Sequence, residues 1–238
     1  MGTETSDLRV LEDRLPRASA VLAVVAHPDD ESFGLGAVLS AFGDAGSSVA
    51  GVCFTHGEAS TLGDQQGDLG RLRTEELVKA AHALGIGEVE LFDRPDGSLA
   101  AVAVSELAEL VVVAARSYDA DLLLAFDDAG ITGHPDHQQA TRAALEAGKR
   151  LDLAVLAWAI PETVANTLNA EFATTFLGRG PDEVDIDITV DRRRQLDAIA
   201  CHASQSIANP VLWRRLELTG GRELLRWLRR AVASSSSS

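Results

Sequence analysis

The sequence contains 238 residues, of which 46% are hydrophobic and 24% are charged. This is the composition of an ordinary globular protein, so wholesale disorder is excluded, and the length predicts one main domain. The 36 acidic residues outnumber the 21 basic residues and give a formal net charge of −15. Such a charge disfavours binding to nucleic acid and contact with anionic membranes.

The predicted elements alternate between strands and helices along the chain. The apolar run at residues 21–26 predicts a first strand that is buried on both faces. After it come a helix at 34–45, a strand at 49–54, a polar loop at 57–68, a helix at 71–84, strands at 89–92, 122–126 and 154–159 separated by helices at 104–116 and 137–147, a helix at 189–204, and an amphipathic helix at 222–233. This alternation predicts a three-layer, Rossmann-like α/β fold with a mainly parallel sheet and helices on both faces.

The chain divides into a flexible leader at 1–19, an α/β domain at 20–206, a C-terminal amphipathic helical segment at 207–233 and a disordered serine tail at 234–238. No apolar run approaches the roughly 20 residues that a membrane-spanning helix needs. No basic segment precedes an apolar stretch at the N-terminus, as a signal peptide would require. We therefore expect a soluble, cytoplasmic protein.

The C-terminal segment is basic, in contrast to the rest of the chain. Its arginines are Arg214, Arg215, Arg222, Arg226, Arg229 and Arg230. A basic amphipathic helix can lie on a membrane surface. It can also pack its apolar face on its own domain or on a second copy of the chain, which is the interpretation we favour. The sequence leaves open whether the protein is a homo-oligomer.

Two clusters of histidine and aspartate follow predicted strands. The first is Ala-His-Pro-Asp-Asp-Glu at residues 26–31, and the second is Gly-His-Pro-Asp-His at residues 133–137. In a parallel α/β sheet, binding sites lie beyond the carboxyl ends of the strands. Both clusters are therefore where chemistry is expected.

The residue types in these clusters suit a metal. The two cysteines, Cys53 and Cys201, form no C-x-x-C pair, so a thiolate zinc site is unsupported. Imidazole and carboxylate are the other common zinc ligands, and a catalytic zinc takes three protein ligands. The alternative is that each cluster is a polar turn whose aspartate caps a helix. Two clusters in one chain, both after strands, favour the metal site.

The clusters resemble the two motifs of the PIG-L/LmbE-like zinc-dependent de-N-acetylases. This family includes deacetylases of N-acetylglucosaminyl-phosphatidylinositol, of mycothiol and bacillithiol precursors, and of glycopeptide antibiotics. The resemblance covers roughly residues 20–206. Weaker matches support it at residues 55–58, 69–77, 84–86, 95–97 and 202–205.

The resemblance implies a role for each residue of the two motifs. It makes His27, Asp30 and His137 the ligands of Zn²⁺, or of another divalent metal in its place. Asp29 is then the general base, and His134 stabilises the developing oxyanion as a cation. Asp136 is expected to orient His134 or to cap the helix. The implied reaction removes acetyl from a small N-acetylglucosamine-type conjugate.

Three further residues are expected to contact the sugar, each with an alternative. Arg73 can instead form a surface ion pair with Glu76, three residues further along a helix. Asp96 can be no more than part of a turn with Gly97. His202 can be a core histidine with satisfied hydrogen bonds.

The sequence departs from the family pattern in two places. Residues 161–187 match no subgroup, although this is where a substrate-specific loop is expected, and Thr132 stands where some thiol-pathway members have tyrosine. Two other functions stay open: a metal-dependent amidase acting on a non-sugar amide, and a catalytically silent sugar-binding relative. Because His27, Asp29, Asp30 and His137 are all present, we favour the enzyme.

Overall fold

The computed structural model describes residues 11–62 and 67–232. The serine tail at 234–238 and the first ten residues of the predicted leader lie outside this part of the chain. Within the leader, Glu12 is not loose, since its backbone pairs with Ile186 and its N–H donates to the Asp185 carbonyl. No helix in the described ranges combines the length and apolar character needed to cross a membrane.

One seven-stranded sheet organises the fold, with strand order β3-β2-β1-β4-β5-β7-β6. The strands are β1 Ala20–Val25, β2 Ser48–Thr55, β3 Glu88–Arg94, β4 Leu122–Phe126, β5 Ala154–Ala159, β6 Ile186–Thr189 and β7 Arg222–Arg229. The first five pair in parallel, whereas β7 runs antiparallel to both of its neighbours. The predicted mainly parallel α/β fold is therefore confirmed.

The helices fill both faces of the sheet. They are α1 Asp30–Phe33, α2 Gly36–Asp44, α3 Leu69–Leu84, α4 Val104–Ser117, α5 Gly130–Gly133, α6 Pro135–Leu151, α7 Glu162–Phe172, α8 Arg193–Cys201, α9 Ala203–Ser206 and α10 Pro210–Thr219. Short 3₁₀ turns occur at Leu99–Ala101 and Pro181–Glu183. Apolar side chains of α2, α3 and α8 pack on one face, and those of α4 and α6 pack on the other. Because both faces are covered, β1 and β4 are buried at every position.

The C-terminal segment corrects the prediction of an amphipathic helix at 222–233. Arg222–Arg229 is strand β7, inserted between β5 and β6, so this segment belongs to the same domain. Leu225 packs on one face of the sheet and Leu228 on the other. Since both faces of the strand need apolar residues, their spacing also fits a helix, and periodicity alone cannot separate the two.

The position of the site follows from the strand order. After β1 the chain continues to β2 on one side, and β4 later pairs on the other side. The carboxyl ends of β1 and β4 therefore border the point where the winding direction changes, which is the usual position of a ligand site in such sheets. The two histidine clusters follow these two strands.

Candidate metal centre

The first motif forms a tight turn between β1 and α1. The carboxylate of Asp30 accepts hydrogen bonds from the N–H groups of Ala26, at 3.1 Å, and His27, at 2.9 Å. These bonds hold the turn together through Oδ2 of Asp30 and leave Oδ1 to face His137. Asp29 has a φ of 112°, an uncommon conformation for a non-glycine residue and one that is often found at functional sites.

The second motif starts α6 and supplies His137. His134 is the N-cap residue, and its Nδ1 accepts the N–H of Asp136 at 3.2 Å. Nδ1 of His137 lies 3.2 Å from the carbonyl of Gly130, which can accept its proton. With its proton at Nδ1, His137 presents the lone pair of Nε2 toward the first motif, as a metal-binding histidine requires.

The two motifs bring three ligand groups together. Nε2 of His137 lies 3.1 Å from Oδ1 of Asp30 and 3.2 Å from Nδ1 of His27. The ligand atoms of these three residues all lie within 4.8 Å of one another. Two imidazoles and one carboxylate form a donor set of the kind that holds catalytic zinc, so the residues fit a divalent metal.

A second combination within 4.8 Å contains His27, His134 and Asp136. We favour the first combination because of how Asp136 is used. Its carboxylate is wholly buried and already accepts the N–H groups of Gly97, at 2.8 Å, and Leu99, at 3.0 Å. Those bonds commit Asp136 to holding the loop after β3.

The far side of the His27 ring is held by carboxylates. Nε2 of His27 lies 3.1 Å from Asp96 and 3.4 Å from Asp136. A proton on Nε2 leaves Nδ1 free to face His137 and Asp30. This arrangement corrects the prediction that the Asp136 side chain orients His134, since its carboxylate contacts His27 instead. Asp96 borders the cavity as well, so its contact with a sugar stays a prediction.

Asp29 is held by Arg73. Nη2 of Arg73 lies 2.8 Å from the Asp29 carboxylate, and the guanidinium also donates to the carbonyls of Pro28 and Gly57. Burial raises the pKa of Asp29 to about 6, and the positive charge of Arg73 opposes that rise. The alternative of a surface pair between Arg73 and Glu76 is wrong, because both side chains are buried and Glu76 binds Ser204. Arg73 borders the cavity, so its contact with a sugar stays a prediction.

His202 lies behind the site. Its ring is wholly buried, and Nε2 lies 2.6 Å from Oε1 of Glu31, whose Oε2 accepts the N–H of Asp29 at 2.9 Å. His202 therefore does not reach a substrate, and the prediction of a sugar contact is wrong. Its hydrogen bond to Glu31 instead supports the turn that carries Asp29. The alternative of a core histidine describes His202 better, although its Nδ1 has no hydrogen-bond partner in the described residues.

His134 differs from its predicted charge state. Burial and the neighbouring imidazoles of His137 and His27 lower the pKa of His134. The N–H of Asp136 donates to Nδ1, which must therefore be unprotonated, and this geometry favours a neutral ring over the expected cation. With Nδ1 accepting from the backbone, the neutral ring carries its proton on Nε2 and can act as a hydrogen-bond donor.

The three candidate ligands border a cavity of about 490 Å³. Its polar end contains His27, Asp29, Asp96 and His134. An apolar wall of the same cavity includes Phe33, Phe126, Ile131, Trp158, Ile160 and Phe176. The sequence reasoning missed this wall and Arg215, which borders it, because apolar residues at strand ends carry no signal that separates a cavity from a core.

A family profile described as GlcNAc-PI de-N-acetylase, PIG-L, matches residues 22–148, which is more than half of the chain. The chain belongs to the PIG-L family. The match includes both motifs and therefore all three predicted metal ligands.

Curated PIG-L relatives have deacetylase names. A 1D-myo-inositol 2-acetamido-2-deoxy-alpha-D-glucopyranoside deacetylase of Kineococcus radiotolerans is 30% identical over 175 residues, or 60% of this chain and 48% of the relative. A probable N-acetyl-alpha-D-glucosaminyl L-malate deacetylase 2 of Bacillus anthracis is 29% identical over 88% of this chain and 92% of its own length. The match spans about half the length of the first of these relatives.

Solved structures share the fold at low identity. The A40926 pseudoaglycone deacetylase has a TM-score of 0.66 and 21% identity over 90% of this chain and 99% of its own. A 4-carboxy-2-hydroxymuconate hydratase from Pseudomonas putida has a TM-score of 0.64 and 19% identity over 90% and 98%. Because a deacetylase and a hydratase both resemble this PIG-L chain, the fold alone does not determine the reaction.

Proposed function

We propose that this protein hydrolyses the acetamide of an N-acetylglucosamine-type conjugate, with Zn²⁺ or another divalent metal held by His27, Asp30 and His137. The observation that carries the proposal is the position of Asp29. Its carboxylate borders the same cavity as the three proposed ligands without being one of them, and Arg73 holds it with a contact of 2.8 Å. The deacetylase names of the PIG-L relatives supply the substrate class.

A metal bound by these three residues supplies a Lewis acid that polarises the acetamide carbonyl and lowers the pKa of water. Asp29 takes a proton from the water as the water oxygen bonds to the carbonyl carbon. Asp29 then returns that proton to the nitrogen as the carbon–nitrogen bond breaks, which yields acetate and a free amine. With its pKa raised to about 6, Asp29 is suited to both transfers.

His134 lies beside two of the three proposed ligands. Its ring centroid lies 5.1 Å from that of His27 and 4.9 Å from that of His137. We assign its Nε2–H to the carbonyl oxygen of the substrate, which gains negative charge as water attacks. A hydrogen-bond donor already in place at that atom stabilises the transition state more than the ground state.

The direct experiment measures amine release from a panel of N-acetylglucosamine conjugates and of N-acetyl amides that contain no sugar, with and without a chelator. We expect release from at least one conjugate, loss of release with the chelator and recovery when metal is added back. Release only from amides that contain no sugar would support the amidase alternative. Absence of release from every conjugate would contradict the proposed function.

A further inference from the structure

Arg215, in α10, is a buried cation without an ionic partner. Its exposure is 4%, and Nη2 donates to the carbonyl of Phe33. Nη1 is buried and has no hydrogen-bond partner in the described residues. No carboxylate in those same ranges lies within ion-pair distance of the guanidinium. A buried charge without an ionic partner lowers the stability of the folded protein unless a ligand of opposite charge pairs with it.

The carboxylate that could have paired with Arg215 is used elsewhere. Glu223, on β7, lies 2.5 Å from Nη1 of Arg192 and accepts the indole N–H of Trp158 at 2.6 Å. Burial lowers the pKa of Arg215 to about 10, and the charge of Arg192 adds to that effect against the attraction of Glu223. The guanidinium still carries its full charge at neutral pH.

An aromatic wall connects Arg215 to the candidate metal centre. The guanidinium carbon lies 5.1 Å from the centroid of the Trp158 ring. The Trp158 ring lies 5.4 Å from Phe126, and Phe126 lies 5.0 Å from His137, all measured between ring centroids. These four residues border one cavity. A ligand bound at His137 can therefore extend along an apolar surface to a positive charge.

We propose that Arg215 binds a carboxylate carried on an apolar stem of the substrate, and that Trp158 and Phe126 pack against that stem. The inference rests on the proposed function and specifies the part of the substrate beyond the sugar. A carboxylate accepts hydrogen bonds from guanidinium in the plane of the group, and it gives the unpaired Nη1–H its missing partner. The apolar wall removes water from around this pair, which strengthens it.

The test compares two glycosides of N-acetylglucosamine with the same alkyl stem, one ending in a carboxylate and the other in the uncharged carboxamide. Acetate release is measured on the glycosides, and binding to the metal-loaded full chain is measured by calorimetry on their deacetylated products, which are not turned over. We expect the carboxylate to bind roughly 10- to 100-fold more tightly, as for a hydrogen bond between charged groups. Equal dissociation constants in the unaltered protein would overturn the inference.

Three variants assign the preference to one side chain. Arg215→Met should abolish the selectivity for carboxylate, and Arg215→Lys should keep part of it. Arg214→Met is the matched control, because Arg214 pairs with Glu171 and Glu217 on the surface, and its selectivity should equal that of the unaltered protein. Selectivity that survives in folded Arg215→Met would overturn the inference. If Arg215→Met does not fold, the inference is tested by the carboxylate selectivity of the unaltered protein and by its partial loss in Arg215→Lys.

The two proposals fail in different ways. Carboxylate-selective binding without acetate release would contradict the proposed function and support the anion site. Acetate release from both glycosides with equal binding of both products would support the proposed function and refute the anion site. If neither acetate release nor selective binding is observed, both proposals are refuted.

Discussion

Arg73 donates a hydrogen bond to the carboxylate of Asp29 over 2.8 Å, and this buried pair joins α3 to the turn after β1. The sequence separation between the two residues is 44. The guanidinium has two further acceptors, the carbonyls of Pro28 and Gly57. Gly57 has a φ of 67°, and a Cβ there would lie 2.2 Å from Nη1 of Arg73, so only glycine leaves room for the guanidinium. The Arg73 guanidinium, itself held by two backbone carbonyls, therefore fixes the position of the Asp29 carboxylate proposed as the base.

The first prediction concerns Asp29→Asn. Asparagine tolerates the left-handed backbone of this position almost as well as aspartate, so the turn should persist. Without the carboxylate, turnover should fall by about 100- to 10,000-fold, the usual contribution of a general base. Metal content should stay near that of the unaltered protein, because Asp29 is not among the ligands. A variant with most of its activity would contradict the role of Asp29.

The second prediction separates the two candidate ligand sets. His137→Ala should lose the metal during gel filtration, whereas His134→Ala should retain it, as measured by elemental analysis of the protein. His82→Ala is a surface control in α3. The reverse result, with metal lost from His134→Ala and kept in His137→Ala, would favour the set of His27, His134 and Asp136.

The third prediction concerns the residues that hold Asp29 in place, Arg73 and Gly57. Arg73→Met should lower kcat by about 10- to 100-fold, the effect of losing a hydrogen bond to a charged group, with metal content unchanged. Gly57→Ala should have an effect in the same direction, since the added Cβ displaces the guanidinium. Arg71→Met, at an exposed position of the same helix where Arg71 pairs with Glu75, is the control. An unchanged kcat in Arg73→Met would show that Asp29 needs no support from α3.

The fourth prediction is a pH dependence of stability that comes from Asp127. This side chain is buried and accepts hydrogen bonds from Arg179, at 2.7 Å, and Arg226, at 3.0 Å. Burial acts to raise the pKa of Asp127, but the hydrogen bonds from Arg179, Ala129 and Arg226 outweigh it and lower the pKa. The carboxylate therefore stabilises the fold fully above its unfolded pKa of about 4, and this stabilisation is lost as the pH falls through the lower folded pKa.

Asp127→Asn should accordingly lower the free energy of unfolding by about 3 kcal/mol at pH 7, as measured by denaturant titration. The difference from the unaltered protein should shrink as the pH falls below about 4. Asp128→Asn is the matched control, because Asp128 contacts the same two arginines but its side chain is 51% exposed, so about 1 kcal/mol or less is expected. A difference that is independent of pH would contradict the assignment.

The candidate metal ligands could be proposed from the sequence because their two motifs resemble those of a known family and each motif follows a strand. His27 and Asp30 lie in one turn, so local spacing brings them together. The approach of His137 to His27 spans 110 positions and could be expected only because binding sites in such sheets lie beyond the carboxyl ends of the strands. The sequence does not predict which histidine the Asp136 carboxylate contacts. Its contact with His27 spans 109 positions and depends on how α6 docks against the sheet, which no local pattern encodes.

The errors at His202 and β7, and in the alternative considered for Arg73, have related causes. Charged and polar residues are mostly exposed, so a surface ion pair was the natural alternative for Arg73. Both Arg73 and His202 are instead buried against partners from distant elements, Asp29 and Glu31. In β7, apolar residues on both faces hide the two-residue period on which strand prediction depends.

The insertion of β7 between β5 and β6 has a consequence for biogenesis. A growing chain that has reached residue 221 has already made β5, but the hydrogen-bonding edge that β7 covers is still open. β6 is also present by then, yet its strand partner is still to come. The unpaired backbone groups along an exposed edge of an apolar strand can form hydrogen bonds with a strand of another nascent chain. Strand β7 thus closes a gap inside the sheet after its neighbours β5 and β6 have been synthesised, and premature termination before it should yield aggregates instead of a smaller folded protein.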